Sequence, residues 1–407
     1  MSTGHPSGDG IAAAARARRS SRNWLAVAVL ATMAASIAVQ PVYSWWHQRR
    51  SRAFKSACSV AVRDKDWNKL EAIADRWVQW DPANGDGWVY LAEAAAQMGQ
   101  VERAVEALGR VSNSYSGALE ALALRGEMQF GDLNRPYDAV ATWKRMLEIN
   151  RRADVARQRL IYFYSMTFQR SALLAEIRTA MELECEPPEA YAYFVLANEL
   201  NFTDGMSVVS KWRDHYPDDE TLEVAHAIYV AKYAASGGLP IFGQSTVASG
   251  DLTPIDACLK KYPANLEVLA FHLEYAIYDG NEPRVLELLQ QCPAAAENDP
   301  RFWRYRAWYL ASQEQFEEAE KALRKSLELF PADWQTWLLL GNVLRRLGRP
   351  EAAEAADIAL MGKQLKRELF ELPNARSLNK QLGEQVYRYL KRTGPAWVWQ
   401  SLERRLF

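Results

Sequence analysis

From position 51 onward, apolar residues recur at intervals of three and four, the spacing that lines one face of an α-helix. Trp337, Leu340, Gly341 and Leu344 lie at i, i+3, i+4 and i+7, and Ala352, Ala353, Ala356 and Leu360 carry a second such face. Between the two runs stands Leu347-Gly348-Arg349-Pro350, where Gly ends one helix and Pro opens the next. The pattern predicts an antiparallel helix pair, with Gly341 and Ala353 kept small where the two backbones approach. Thirty-four positions earlier, Trp303, Ala307 and Leu310 are followed by Ala319, Leu323 and Pro331. One unit is therefore written twice, and a fixed period of this length is the mark of a repeat array.

The same period extends through most of the chain. Phe54, Ala57, Cys58 and Ala61 pair with Leu70, Ala74 and Trp77, and the next unit carries Trp88, Leu91, Ala92, Ala104 and Leu108. A third unit has Leu122, Gly126, Ala139 and Trp143, with one extra residue in its Gly131 to Pro136 turn. A fourth runs through Leu160, Ile161, Leu173 and Ile177. The centre is degenerate: Tyr191, Phe194 and Asn198 open a fifth unit whose second helix, ending near Trp212, is expected to be short. A sixth unit is split by 237–251, a stretch rich in Gly, Ser and Pro that holds the apolar pair Ile241-Phe242. Leu269, Leu273, Ala276 and Val285 restore the period before the two matched copies. Six units are clear and three are weak.

Trp-x2-Leu-Gly in the last copy, followed by the Ala and Pro positions of the pattern, resembles the tetratricopeptide repeat. That resemblance implies an all-α, right-handed superhelical solenoid of antiparallel helix pairs over 51–362, its inner surface lined by the first helix of each pair and open to a peptide. Carried onto these residues, it implies a partner-binding surface at Arg301, Arg304, Trp308, Asn342, Arg345 and Arg346, flanked by Gln335 and Leu338. The early repeats would present Asp86, Glu93, Glu120 and Glu127. Arg304, Asn342, Arg345 and Arg346 are accordingly expected to meet an acidic segment of a protein or peptide partner. Leu338 stands where the family's carboxylate clamp has Lys, a departure that removes the support for a chaperone-tail ligand.

The two ends follow other rules. Residues 1–23 are polar and end in Arg16, Arg18, Arg19 and Arg22, which reads as a disordered basic tail. Residues 24–46 are apolar over about the 20 residues a membrane helix needs, with Trp24 at one end and Tyr43, Trp45 and Trp46 at the other. One N-terminal transmembrane helix is expected, so the membrane is a partner; a cleaved signal peptide at Ser36-Ile37-Ala38 is the competing reading. Arginines flank the span on both sides, and the orientation leans to an extracytoplasmic main domain. Residues 363–407 carry Leu365, Leu369, Leu382, Val386 and Leu390, then Trp397, Trp399 and Leu402. Capping helices are expected there, because an array must cover its last apolar face. Lys391, Arg392, Arg404 and Arg405 beside these aromatics support docking to a membrane surface as the alternative.

Composition narrows the chemistry. A net charge of −1 gives no electrostatic case for nucleic acid. Cys58, Cys185, Cys258 and Cys292 form no CxxC pair, which removes thioredoxin-like and zinc-ribbon readings and favours buried thiols over disulfides. The five histidines include no HExxH pair, and no phosphate loop or nucleophile elbow is present. No catalysis, metal or cofactor is expected. Asn201-Phe202-Thr203 fits the glycosylation pattern. The functional expectation is a membrane-anchored scaffold for a membrane or envelope complex; the alternative is an export component guiding a polysaccharide or polypeptide along the groove.

Overall fold

The computed structural model describes residues 43–235, 252–372 and 378–406. The expected tail, the apolar stretch before residue 43 and the 237–251 insertion lie outside the described residues. Those that are described are helical throughout and fall into two compact units. The first holds α1 (43–63), α2 (Trp67–Trp80), α3 (Gly85–Gln97) and α4 (Val101–Gly109). Its core is Cys58, Ala61, Leu70, Ile73, Trp77 and Ala94, with Phe54 stacked on Trp77 at 5.7 Å. Lys55 and Tyr115 both hold the Asp86 carboxylate, at 2.9 and 2.6 Å.

The second unit begins with α5 (Ala118–Glu127), α6 (Pro136–Ile149), α7 (Asp154–Met166) and α8 (Arg170–Glu182). It continues with α9 (Glu189–Val195), α10 (Gly205–His215), α11 (Glu220–Ala235), α12 (Thr253–Lys261), α13 (Leu266–Tyr278) and α14 (Glu282–Gln290). The matched copies are α15 (Pro300–Ser312) with α16 (Phe316–Leu329) and α17 (Trp334–Arg346) with α18 (Ala352–Phe370); α19 (Lys380–Thr393) and α20 (Ala396–Leu406) follow. Positions 122, 143, 160, 177, 212, 222, 258, 269, 285, 307 and 323, all on the periodic faces, are buried.

Local chemistry explains why the repeat has this form. Trp88, Trp303 and Trp337 each donate the indole N–H to a carbonyl six residues earlier, Pro82, Glu297 and Pro331, at 2.8–2.9 Å. The signature tryptophan thus packs its ring and satisfies its polar edge at the preceding turn. Gly348, at φ +66, ends α17, with its own N–H on Arg345 O and that of Arg349 on Leu344 O, the paired bonds of a Schellman ending. One repeat earlier Glu314 takes the same left-handed conformation, φ +60. A Cβ on Gly341 would stand 3.2 Å from Ala356 N and 3.4 Å from Ala352 O, so α17 and α18 meet backbone to backbone there.

Four expectations need correction. Ala353 is exposed, and the buried face of α18 is Ala355, Ile358, Ala359 and Gly362. These sit 36 positions after Ala319, Ala322, Leu323 and Ser326: the last turn is two residues longer, which moves Pro350 out of the helix and shifts the register by two. The fifth unit is short in its first helix, α9, of 7 residues, rather than in α10, of 11. Position 362 is no boundary, because α18 runs unbroken to Phe370. The extra residue of the third unit is taken up earlier than expected, by the π-helical turn Met128–Asp132 that closes α5.

The C-terminal helices do more than cover α18. Tyr389 Oη donates to Ala332 O at 2.8 Å, and Trp397 meets Phe194 edge to face at 5.6 Å. Ser401 Oγ donates to Glu186 at 2.7 Å, and Arg405 bonds the Glu186 carbonyl at 2.9 Å. The chain end therefore returns to α8 and α9, some 200 residues back. The α16–α17 turn joins them, with Phe330 against Phe194 and Trp334 Nε1 on Glu199 at 2.6 Å. The cations that favoured surface docking are engaged within the chain. Lys391 lies over Tyr387 and Trp399, Arg392 pairs with Asp357 at 2.5 Å, and Arg404 pairs with Glu184 at 3.5 Å.

Gly341→Val drives a branched side chain into the α18 backbone and should cost about 1–3 kcal/mol in urea unfolding. Glu314→Gly, which relieves a left-handed non-glycine residue, should instead stabilise by about 1 kcal/mol. Equal unfolding midpoints for wild type and Gly341→Val would contradict the close-approach reading.

Candidate partner-binding surface

The first helices of the last three repeats begin on one slot. Asn265, Asp299 and Asp333, spaced by 34, are the N-cap residues of α13, α15 and α17, each accepting from a backbone N–H two or three positions on. A cap oxygen satisfies an otherwise orphaned donor. The two aspartates have a second duty, because each also binds a buried arginine of α15.

Arg301 is 5 % exposed and sits between two carboxylates. Its Nη1 and Nη2 donate to both oxygens of Glu267, on α13, at 2.7 Å, while Nη2 and Nε reach Asp299 at 2.6 and 3.1 Å. Arg304, equally buried, pairs with Asp333 at the start of α17 and with Glu274 of α13 at 3.4 Å. Tyr305 adds a hydrogen bond to Glu274 at 2.8 Å. Burial pushes the Asp299 carboxyl upward, but the Arg301 and Arg170 guanidinium groups outweigh it and hold the group well below the usual carboxylate range. Burial works against the charge of Arg301 and Arg304 too, and the facing carboxylates reverse that and raise both.

This corrects the expected surface in part. Arg301 and Arg304 are buried and already matched, so neither is presented to a partner. Trp308 is half-buried, packed on the α13–α15 core. What remains open is a stripe on α17. Leu338 is 44 % exposed, and Asn342, Arg345 and Arg346 are exposed on the same face. Arg345 reaches Asn342 Oδ1 at 3.4 Å, and among the described residues neither Arg345 nor Arg346 has a carboxylate partner. Of the expected acidic positions, Asp86 is held by Lys55 and Glu127 by Arg159 at 2.5 Å, and Glu120 is exposed. Burial raises the Glu93 carboxyl.

A second polar constellation has no signature in the sequence. Arg170, the first residue of α8, donates Nε to Asn198 Oδ1 at 2.6 Å and lies over the Phe330 ring at 4.9 Å. Burial pulls its guanidinium down to about 10, which leaves it charged at neutral pH. Lys232 of α11 donates to Leu200 O at 3.0 Å and faces the Phe168 ring; burial lowers it as well. With Arg301, Glu267 and Glu274 they line a half-enclosed recess. Helical periodicity reports apolar faces, so it is silent about cations that three different helices bring together.

The four cysteines are free thiols, Cys58 and Cys258 buried and the other two half-buried. Among the described residues no group of His, Cys, Asp and Glu is placed to hold a metal, and no helix is long and apolar enough to cross a membrane.

Residues 300–343 match a sequence model of the tetratricopeptide repeat. No curated protein sequence matches the chain. Among solved structures, it is similar to a tetratricopeptide repeat protein from Parabacteroides merdae, with 12% identity over 64% of this chain and 98% of that one and a TM-score of 0.31. It is also similar to yeast Tom70, with 10% identity over 87% of both chains and a TM-score of 0.28. Human IFIT1, in a dimer with m7Gppp-AAAA, gives 13% identity over 84% of this chain and 73% of that one, at a TM-score of 0.29. Scores of this size carry no argument about shape or partner. The repeat reading rests on the matched segment and on the 34-residue recurrence of caps, tryptophans and buried faces.

Arg301→Met strands the buried Asp299 carboxylate and the half-buried Glu267 and should cost about 3 kcal/mol. Because Asp299 is held below its unfolded range, its contribution is complete above about pH 4 and is lost as pH falls through the lowered folded value. Asp299→Asn should therefore lose stability at neutral pH and flatten the acid limb of a thermal-melting pH profile. An acid limb identical to wild type would remove Asp299 from the account.

Proposed function

We propose that this chain is a non-catalytic, tetratricopeptide-type adaptor that holds an acidic segment of a protein partner on the exposed stripe of α17. The observation that carries the reading is a contrast within one pair of repeats. Arg301 and Arg304 are buried and matched by carboxylates, whereas Arg345 and Arg346 are exposed and among the described residues unmatched. Two adjacent guanidinium groups beside Asn342 and the apolar Leu338 suit a carboxylate-bearing segment, since guanidinium forks bind carboxylates in a bidentate manner. Cations in the last turn also favour the α17 dipole, a local role that one of them would serve without a partner.

The adaptor is tethered, in this proposal, by the apolar stretch 24–46, and it serves assembly of a membrane or envelope complex. The sequence supports the tether through its length, its flanking arginines and its aromatic ends. Alkaline extraction of membranes should leave the full chain in the pellet; release into the supernatant would remove the tether from the reading.

Arg345→Glu with Arg346→Glu lies on an exposed face but opposes the α17 dipole, so it should cost about 1–2 kcal/mol and leave the chain folded. Crosslinking and pull-down from native membranes should then lose the partner recovered with wild type, and raising salt should weaken wild-type recovery. Unchanged recovery with the double variant would contradict the assignment.

A further inference from the structure

The recess beside Arg170 is a second binding site candidate, and it does not depend on the α17 stripe. It occupies about 40 Å³, room for two or three waters or for one carboxylate head. Arg170 is 8 % exposed, and its Nη2 has no hydrogen-bond partner; Asn198 Nδ2, next to it, has none either. Both residues line the recess. Buried donors are nearly always satisfied, so a pair left open beside a cavity points to something that fills it.

The charges of the wall say what kind of group that is. Arg170, Lys232 and Arg301 line the recess with Glu267 and Glu274, and Asp299, bonded to Arg301, lies within electrostatic reach of Arg170. Both Glu267 oxygens are taken by Arg301, and Glu274 accepts from Tyr305 and Arg304. Among the described residues neither Arg170 nor Lys232 forms an ion pair: a carbonyl, an amide oxygen and two ring faces are their partners. The rest of the lining includes Phe168, Ile228 and Phe271. A site with open donors, one of them on a guanidinium, and an apolar wall fits a carboxylate carried on a small apolar body.

We propose that this recess binds a small monocarboxylate, its oxygens taken by Arg170 Nη2 and Asn198 Nδ2 and its apolar body lying along Phe168, Ile228 and Phe271. Lys232 supplies long-range attraction to the same anion. Isothermal titration of the full chain with hexanoate and with 3-phenylpropionate tests this, with hexanamide as the neutral analogue of the first. At least one carboxylate should bind saturably, and hexanamide should bind at least about tenfold more weakly. Arg170→Gln should weaken the carboxylate by at least a similar factor. Should Arg170→Gln fail to fold, Asn198→Asp decides: it sets a tethered carboxylate beside Arg170 and should abolish binding while the melting temperature is kept. Absence of saturable binding by both acids, equal binding of hexanamide, or unchanged binding by the variant that folds would each overturn the proposal and leave water as the occupant. Arg345→Glu with Arg346→Glu should leave the titration unchanged, which separates this site from the partner surface.

Discussion

Arg301 and Arg304 bury their charge among carboxylates, and those carboxylates come from three consecutive repeats. Taking such ions out of water costs several kcal/mol each before pairing returns it. The geometry supplies the pairing from both neighbours: Glu267 and Glu274 come from α13, Asp299 from the cap of α15 itself, and Asp333 from the cap of α17. The aspartates already serve as caps, so helix termination and inter-repeat pairing use the same atoms. Repeats that would otherwise meet through apolar faces alone are thereby fixed in rotation and register, because a bidentate pair has far less angular freedom than a methyl contact.

That constraint shapes what the second unit can offer a partner. With the arginines of α15 neutralised, the charge available to solvent moves to the end of α17. The α16–α17 turn, held in place by Asp333, projects Phe330, Ala332 and Trp334 toward α8, α9 and α19. The returning helices α19 and α20 then bury Leu382, Val386, Tyr389, Val398 and Leu402. The two proposed contact sites accordingly lie on the exposed stripe of α17 and in the polar recess beside Arg170, and the buried Arg301 and Arg304 of α15 belong to the packing between repeats.

The helix pairs were legible because they rest on period. Trp337, Leu340, Gly341 and Leu344 lie where spacing puts them, and their counterparts from Leu70 to Leu323 are buried. Register within the last pair was not legible: two added residues in a turn leave the apolar spacing of α18 intact while rotating its buried face away from Ala353. The site was half legible. Position within the family pattern marked Arg301, Arg304, Arg345 and Arg346 alike, yet only the three-dimensional approach of Glu267, Glu274 and Asp333 separates the buried pair from the exposed one. Arg170, Asn198 and Lys232 come from three different repeats, and no pattern within one repeat links them.

The most direct test of this account is a double-mutant cycle on Arg304 and Asp333, with Arg304→Met, Asp333→Asn and the double variant compared by urea unfolding. If the arginine clamp ties α15 to α17, the coupling energy should be about 1.5–3 kcal/mol, in the range of contacting charged groups. A coupling below about 0.5 kcal/mol would show that the two repeats are held by apolar packing alone and would contradict the central claim.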